Sequence, residues 1–166
     1  GIQIGNFIGD HVKGRDYLNY AGDVQKGILL HRKIDWFTDR HPLPKQGADR
    51  LRESYGRYAG VVMDVFYDHF LAVNWNRYSK QALSEFALQI HVLLSKRYFS
   101  LPREVRSFVP FLIFNKRLES YAHLDGVAKA LSIMANYTSM PNNVESAIEV
   151  IRANYQAYNN EFVVFW

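Results

Sequence analysis

Apolar side chains recur along most of this sequence at the three- and four-residue intervals of an α-helix. They predict helices over residues 5–13, 23–39, 44–75, 79–98, 118–137 and 143–158, and another that has Pro102 in its first turn and includes Val105, Phe108 and Leu112. The third segment is expected to break near Gly56 or Gly60, and Pro110 is expected to kink or divide its helix. Alternation typical of a strand is confined to residues 162–166. The pattern therefore predicts an all-α fold of about six to eight helices, packed as one compact domain over residues 1–166.

The composition supports a folded chain and excludes several kinds of site. Apolar residues make up 48% of the 166 residues and aromatic residues 15%, enough to form a sizeable core. There is no cysteine, which excludes disulfides, zinc–thiolate sites, iron–sulfur clusters and thiol nucleophiles. No apolar run approaches the ~20 residues needed to span a bilayer, and no secretory signal pattern opens the sequence. We therefore expect a cytoplasmic protein that does not associate with membranes.

The charge of the chain favours an acidic partner. Lysine and arginine outnumber aspartate and glutamate by 20 to 16, which gives a net charge of +4. The basic residues are scattered and form no recognised nucleic-acid motif, so we expect no nucleic-acid partner. The same excess of positive charge is equally typical of a slightly basic protein without an acidic partner.

Two pairs of titratable residues have the spacing of neighbours on one helix face. His31 and Asp35 are four residues apart, and so are Asp64 and Asp68, with His69 directly after them. Side chains four residues apart on a helix lie ~6 Å from each other, and two such helices facing one another can bring four ligands to one metal ion. The alternative interpretation is a solvated helix face or a structural network of ion pairs, because either pair alone is common by chance.

The surroundings of Asp64 and Asp68 favour a metal site over that alternative. Residues 60–71 are apolar on almost every side of the predicted helix, which indicates burial. Buried carboxylates are strongly destabilising unless they are paired or bound to a cation. Asp10 lies in a stretch of apolar and small residues that would allow close helix contact, so it is a further candidate for the same site.

Other kinds of hydrolytic and phosphate chemistry lack their motifs. The sequence contains no Gly-x-Ser-x-Gly or Ser-x-x-Lys motif, no P-loop and no Gly-x-Gly-x-x-Gly segment. Metal-assisted hydrolysis is the chemistry that remains, since a bound ion lowers the pKa of a water and stabilises negative charge on phosphate.

Three segments taken together resemble the acyl carrier protein phosphodiesterase family, which is regarded as a divergent group of HD-type phosphohydrolases. They are GNFIGDHVKG at residues 5–14, GILLHRKIDWFTD at residues 27–39 and MDVFYDHFL at residues 63–71. The segments follow one another in the family's order and at its spacing, and beyond residue 80 the likeness is loose. The family pattern also has a histidine-containing segment ahead of the first motif. A ligand in that segment would not be supplied by residues 1–166.

The resemblance implies a reaction, a fold and a set of residues. The reaction is hydrolysis of the phosphodiester that links 4′-phosphopantetheine to a serine of holo acyl carrier protein, with Mn²⁺, or Mg²⁺ or another divalent ion in its place. The fold is an HD-like helical bundle. The metal ligands are Asp10, His31, Asp35, Asp64 and Asp68. The catalytic residues are Asp68, His69 and Arg32, and Arg32 and Lys33 bind phosphate or the acidic carrier protein. The departing serine oxygen is expected to take its proton from His69 or from a metal-bound water.

Two other functions remain open from the sequence. An HD-type phosphohydrolase acting on a nucleotide or another small phosphodiester would use the same residues without a carrier protein. A non-catalytic helical binding module would keep the scaffold, hold no metal tightly and tolerate substitution of Asp64 or Asp68. The sequence does not indicate an oligomeric state.

Overall fold

The computed structural model describes residues 1–166, and every regular element in it is a helix. Eight of the α-helices are seven residues or longer and there is no strand, so the predicted all-α class is confirmed. No helix is both long enough and apolar enough to cross a bilayer. The α-helices in chain order are α1 (Ile2–Phe7), α2 (Gly22–Arg40), α3 (Pro42–Asp49), α4 (Arg52–Tyr55), α5 (Ala59–Val73), α6 (Trp75–Tyr78), α7 (Leu83–Lys96), α8 (Arg103–Phe114), α9 (Arg117–Ser120), α10 (Leu124–Tyr137), α11 (Val144–Ala153) and α12 (Tyr155–Phe165).

The predicted breaks agree only in part with the structure. The long segment after Pro42 is interrupted at Gly56, whose φ of +52° lies in the left-handed region that favours glycine. α8 continues through Pro110 without being divided. The region expected to alternate like a strand is the end of α12, where Tyr158 and Phe162, four residues apart, are both buried. Helical spacing of the aromatic side chains therefore overrides the short alternation at the end of the sequence.

The contacts of the chain group into two compact units, each with its own apolar core. The first unit comprises residues 1–40 and 85–116, and the second comprises residues 41–84 and 117–166. The core of the first unit is formed by Ile4, Ile8, Val12, Ile28, Leu94, Leu101, Val105, Val109 and Leu112. A single domain over residues 1–166 stays a prediction.

In the second unit, α5 packs against α3, α10 and α12. Its side chains Val62, Phe66 and Phe70 are fully buried. An ion pair joins the residue that follows α3 to α12 at the edge of this core, where Arg50 Nη1 donates to Glu161 Oε2 at 2.8 Å. The second unit is thus built around one apolar helix, and this helix carries three of the predicted site residues.

In the first unit, α1 crosses α2 at a close approach that glycine makes possible. A Cβ on Gly5 would collide with the backbone oxygen of Val24, and a Cβ on Gly27 would collide with that of Ile2. Any side chain at either glycine would therefore push the two helices apart. This contact places the residues that follow α1, including the 3₁₀ turn Gly9–His11, beside the middle of α2.

Substitution of Gly27 by alanine tests the close approach. We expect Gly27→Ala to lower the free energy of unfolding by about 1–3 kcal/mol, because the new methyl group must displace the Ile2 carbonyl. Gly22→Ala is the matched control, since it lies in the same helix and its Cβ would have no neighbour within 4 Å. Urea denaturation followed by circular dichroism measures both variants, and equal stabilities would contradict the close approach.

Candidate metal site

Three of the predicted residues meet in the first unit. His31 and Asp35 lie one turn apart on α2, and Asp10 lies in the turn Gly9–His11. His31 Nε2 is 3.2 Å from Asp10 Oδ1 and 3.1 Å from Asp35 Oδ2. One ligand atom from each residue lies within 4.8 Å of the other two. We call these three residues the Asp-His-Asp cluster.

Two neighbours of the cluster fix the orientation of the His31 ring. A Cβ on Gly9 would collide with the imidazole, so the bare backbone at Gly9 allows Asp10 to approach it. His31 Nδ1 donates to Asn6 Oδ1 at 3.4 Å. Because Nδ1 carries the proton in this arrangement, the lone pair of the neutral ring lies on Nε2, the atom that faces the two carboxylates.

The cluster has the geometry and chemistry of a site for a divalent cation. His31 Nε2 is buried and has no hydrogen-bond partner, although a carboxylate oxygen of Asp10 lies 3.2 Å away and one of Asp35 lies 3.1 Å away. A buried nitrogen without a partner is destabilising. Ligand atoms ~2.1 Å from an octahedral ion lie roughly 3 Å from each other, which agrees with the separation of Nε2 from both oxygens. The residues therefore fit an ion such as Mn²⁺ or Mg²⁺.

Negative charge accumulates around His31 without a Lys or Arg to balance it. Loss of hydration raises the pKa of Asp35 above its usual value, His31 opposes this rise, and the charges of Asp10 and Asp39 add to it. Neither Asp10 nor Asp35 forms an ion pair with Lys or Arg. A bound cation would offset this repulsion. The side chains of Asp10 and Asp35 are 75% and 50% exposed, so a substrate in solution can reach them.

Arg32 and Lys33, predicted to bind phosphate or the carrier protein, follow His31 in sequence but occupy other sides of α2. The Arg32 guanidinium donates hydrogen bonds to the backbone oxygens of Val12, at 2.8 Å, and Gly14, at 2.9 Å. It therefore holds the loop that continues from the cluster. Lys33 is exposed and lies ~200° around the helix from His31. Their roles in binding and catalysis stay predictions.

Asp64 and Asp68 lie on α5 in the second unit, and the prediction that they are buried is wrong. Both residues are exposed, whereas Met63 and Phe66 beside them are buried. The apolar residues of α5 cover most of its circumference but leave a narrow polar strip with the two acids one turn apart. The surrounding protein nevertheless removes enough hydration from the Asp68 carboxyl to raise its pKa to about 7. The charge of Asp64 adds to this rise, and Arg117 opposes it.

His69 is buried in the second unit, and both of its ring nitrogens have protein partners. Nδ1 donates to the backbone oxygen of Tyr121 at 2.7 Å, and Nε2 accepts from the Tyr155 hydroxyl at 3.0 Å. Burial lowers the pKa of His69, although the hydrogen bond to Tyr121 opposes that change and keeps it smaller. An imidazole occupied at both nitrogens is placed to hold α5 in the core. This placement argues against the predicted role as proton donor to the substrate.

Three residues that shape the cluster were not predicted from the sequence. Asn6 orients the ring of His31, and Asp39 adds negative charge near Asp35. Asn6 is four residues before Asp10, and Asp39 is four residues after Asp35. The helical spacing that indicated the ligands could therefore have indicated both of these neighbours. Gly9 had no such signal, because it acts through the absence of a side chain where two distant segments meet.

Comparison with known proteins finds relatives over the whole chain. A family model described as acyl carrier protein phosphodiesterase matches residues 1–166. A Photorhabdus laumondii protein named acyl carrier protein phosphodiesterase is 29% identical over 164 residues, which cover 98% of this chain and 81% of that relative. A protein of the same name from Yersinia pestis is 28% identical, covering 98% of this chain and 85% of the relative. A protein of the same name from Salmonella paratyphi A is 29% identical, covering 98% of this chain and 84% of the relative. No solved structure matches the chain.

Replacing His69 by asparagine tests its structural role through the pH dependence of stability. Below the ordinary histidine pKa of 6.5 the unfolded chain takes up a proton, whereas burial keeps the folded imidazole neutral. His69 therefore supports the fold fully above pH 6.5, and this support is lost as the pH falls towards the lowered pKa of the folded state. We expect His69→Asn to be less stable than the wild type near neutral pH but to lose less stability on acidification. Urea unfolding at several pH values measures this, and parallel pH profiles would contradict it.

Titration with Mn²⁺ tests whether the Asp-His-Asp cluster binds a cation. We expect His31→Gln to lose this binding, because no imidazole lone pair remains. Asn6→Ala should weaken it roughly 10–100-fold, because the ring loses the partner that orients it. His11→Gln is the matched control, since His11 is exposed and adjoins Asp10 in sequence. Isothermal titration calorimetry measures all three, and wild-type affinity in His31→Gln would refute the cluster as a metal site.

Proposed function

The chain belongs to the acyl carrier protein phosphodiesterase family, and on this basis we propose that it hydrolyses the phosphodiester between 4′-phosphopantetheine and a serine of holo acyl carrier protein. The products would be apo acyl carrier protein and free 4′-phosphopantetheine. Relatives that carry this name over 98% of the chain support the proposal. The Asp-His-Asp cluster is the observation that carries it, because metal-assisted hydrolysis of a phosphodiester needs an accessible set of carboxylate and imidazole ligands.

The residues of the cluster have distinct tasks in this proposal. His31 would present the lone pair of Nε2, in a direction set by the contact of Nδ1 with Asn6, while Asp10 and Asp35 would contribute the negative charge that retains a cation. A divalent ion held there would attract the phosphoryl oxygens and lower the pKa of a water. The exposure of both carboxylates leaves room for a phosphodiester attached to a protein. Asp64 remains a proposed ligand on the second unit, whereas Asp68 is proposed below as an acid, a role that excludes metal ligation because a bound carboxylate carries no proton.

The proton needed by the departing serine oxygen has a better candidate than His69. Asp68 is exposed, and its pKa is raised to about 7 by lost hydration and by Asp64. A carboxyl group with such a pKa holds a proton for part of the time near neutral pH, as a general acid must. His69 has no free ring nitrogen for this task. We therefore assign the proposed acid role to Asp68.

Arg32 is better described as a positioning residue than as a catalytic one. Two of the five N–H donors of its guanidinium are engaged by the backbone oxygens of Val12 and Gly14. These bonds fix the loop that leaves the Asp10 turn. Arg32 thus acts on the cluster through the backbone that carries Asp10.

The direct test of the function is conversion of a carrier protein. Purified protein and Mn²⁺ are incubated with holo acyl carrier protein, and intact-mass spectrometry follows the loss of 4′-phosphopantetheine. We expect apo carrier protein to appear, and we expect Asp68→Asn to lose at least about 100-fold in rate because a proton donor is removed. Circular dichroism checks that the variant keeps its helices.

Failure to convert the carrier protein with any of several divalent ions would overturn the proposed substrate. Turnover of a small synthetic phosphodiester under the same conditions would then favour an HD-type phosphohydrolase acting on small molecules. Wild-type activity in Asp68→Asn would refute the acid role of Asp68 and would not affect the proposed substrate.

A further inference from the structure

The turn between α7 and α8 presents one aromatic ring to solvent. Phe99 is 89% exposed, the highest value among the large apolar side chains of the chain. It lies in the 3₁₀ turn Tyr98–Ser100, which contains no buried residue. A ring exposed to this extent contributes little to the core of the protein, so it is available for contact with a partner.

The turn holds this ring away from the core of the first unit. Leu101, two residues further on, is buried in that core, and Tyr98 packs against it. The backbone N–H of Ser100 donates to the Arg97 oxygen at 2.8 Å, and that of Leu101 donates to the Tyr98 oxygen at 3.2 Å. Phe99 thus lies between two anchored residues in a hydrogen-bonded turn, and its exposure is a property of the fold.

Cations surround the exposed ring. Lys96 and Arg97 precede it at the end of α7, and Arg103 and Arg106 follow it at the start of α8. The first three of these side chains are exposed and the fourth is partly exposed. None of the four forms an ion pair with an acid. We call Lys96, Arg97, Phe99, Arg103 and Arg106 the basic turn.

The charge of this segment favours an anionic partner. Residues 96–106 carry four cations and a single acid, Glu104, within eleven residues of a chain whose whole net charge is +4. Arg103 and Arg106 also lie near the N-terminus of α8, where the helix dipole is already positive. The repulsion among these charges is unfavourable for the folded protein alone, and negative charge placed beside the turn would offset it.

A phospholipid surface matches this arrangement better than a second protein does. The ring of Phe99 projects alone, because Tyr98 and Leu101 beside it are directed to the core and form no flat apolar patch around it. A protein partner would need a pocket for one ring, and the turn is much smaller than the ~800 Å² per partner of a standard interface. A fluid interface admits a single projecting ring at any point, and its anionic headgroups attract the cations on either side.

We propose that the basic turn binds the surface of an anionic phospholipid bilayer. Phe99 would place its ring at the boundary between headgroups and acyl chains, and the four cations would lie among the headgroup phosphates. The sequence predicts no membrane association because no segment can span a bilayer, but binding at the surface needs no such segment. The proposal is independent of the proposed hydrolysis, since no residue of the basic turn belongs to the Asp-His-Asp cluster.

Co-sedimentation with sucrose-loaded vesicles measures this binding for the whole chain. One set of vesicles contains phosphatidylcholine alone, and the other contains phosphatidylcholine with phosphatidylglycerol. We expect binding to the anionic set to be at least about tenfold tighter, because each cation near an anionic surface contributes about fivefold. A high concentration of NaCl should remove most of this difference, since salt screens the charge of the headgroups.

Two substitutions separate the contribution of charge from that of the ring. Lys96→Gln combined with Arg97→Gln should weaken binding to anionic vesicles at least about tenfold. Phe99→Ser should weaken it about threefold or more, because the apolar ring no longer leaves water. Phe99→Trp should bind as tightly as the wild type or more tightly, since tryptophan favours the membrane interface.

Matched controls make the same changes elsewhere in the first unit. Arg15→Gln combined with Lys26→Gln removes one arginine and one lysine from exposed positions. Phe114→Ser removes a ring that is 86% exposed but lies at the other end of α8. We expect both controls to stay within about twofold of the wild type, because charges away from the contact are screened. Circular dichroism establishes that every variant is folded.

The outcomes decide between a lipid surface and other partners. Equal binding to neutral and anionic vesicles, equal weakening by the controls, or unchanged binding by Phe99→Ser would overturn the proposal. So would self-association, or binding of apo acyl carrier protein, that Phe99→Ser abolishes in a protein that does not bind vesicles. Vesicle binding that requires both the ring and the cations would support the proposal, whether or not the protein hydrolyses holo acyl carrier protein.

Discussion

The close approach of α1 and α2 is the constraint on which the candidate site depends. Gly5 and Gly27 let the two backbones touch, and Gly9 lets the following turn meet the ring of His31. Through these contacts, Asp10 reaches a histidine that lies 21 residues further along the chain. The cluster is therefore a product of helix packing, and a side chain that separated the helices would remove it without altering any ligand.

The cluster is more favourable for binding a cation than for stability of the protein alone. His31 Nε2 is buried without a hydrogen bond, and two carboxylates converge on it with no Lys or Arg paired to them. Lost hydration and neighbouring charges already raise the pKa of Asp35. A bound divalent ion would satisfy the nitrogen and offset the repulsion at once. Sites that give up local stability in this way are characteristic of function.

The sequence predicts the helices and part of the site, for identifiable reasons. Spacing placed His31 beside Asp35, because residues four apart on a helix must be neighbours. The prediction of burial on α5 was wrong, because a count of apolar residues does not show on which side of the helix Asp64 and Asp68 lie. The resemblance implied catalysis by His69, but a side chain next in sequence to Asp68 lies ~100° around the helix, in this case inside the core. Contacts between distant segments, such as Gly9 against His31, have no local signal at all.

We propose that the Asp-His-Asp cluster holds a divalent cation. A crystal structure of the protein grown with Mn²⁺, with anomalous diffraction recorded above the manganese absorption edge, tests this claim most directly. We predict an anomalous peak bonded to His31 Nε2 and to one carboxylate oxygen each of Asp10 and Asp35. A manganese peak that contacts none of these three residues, or crystals grown at saturating Mn²⁺ with no peak at the cluster, would contradict it.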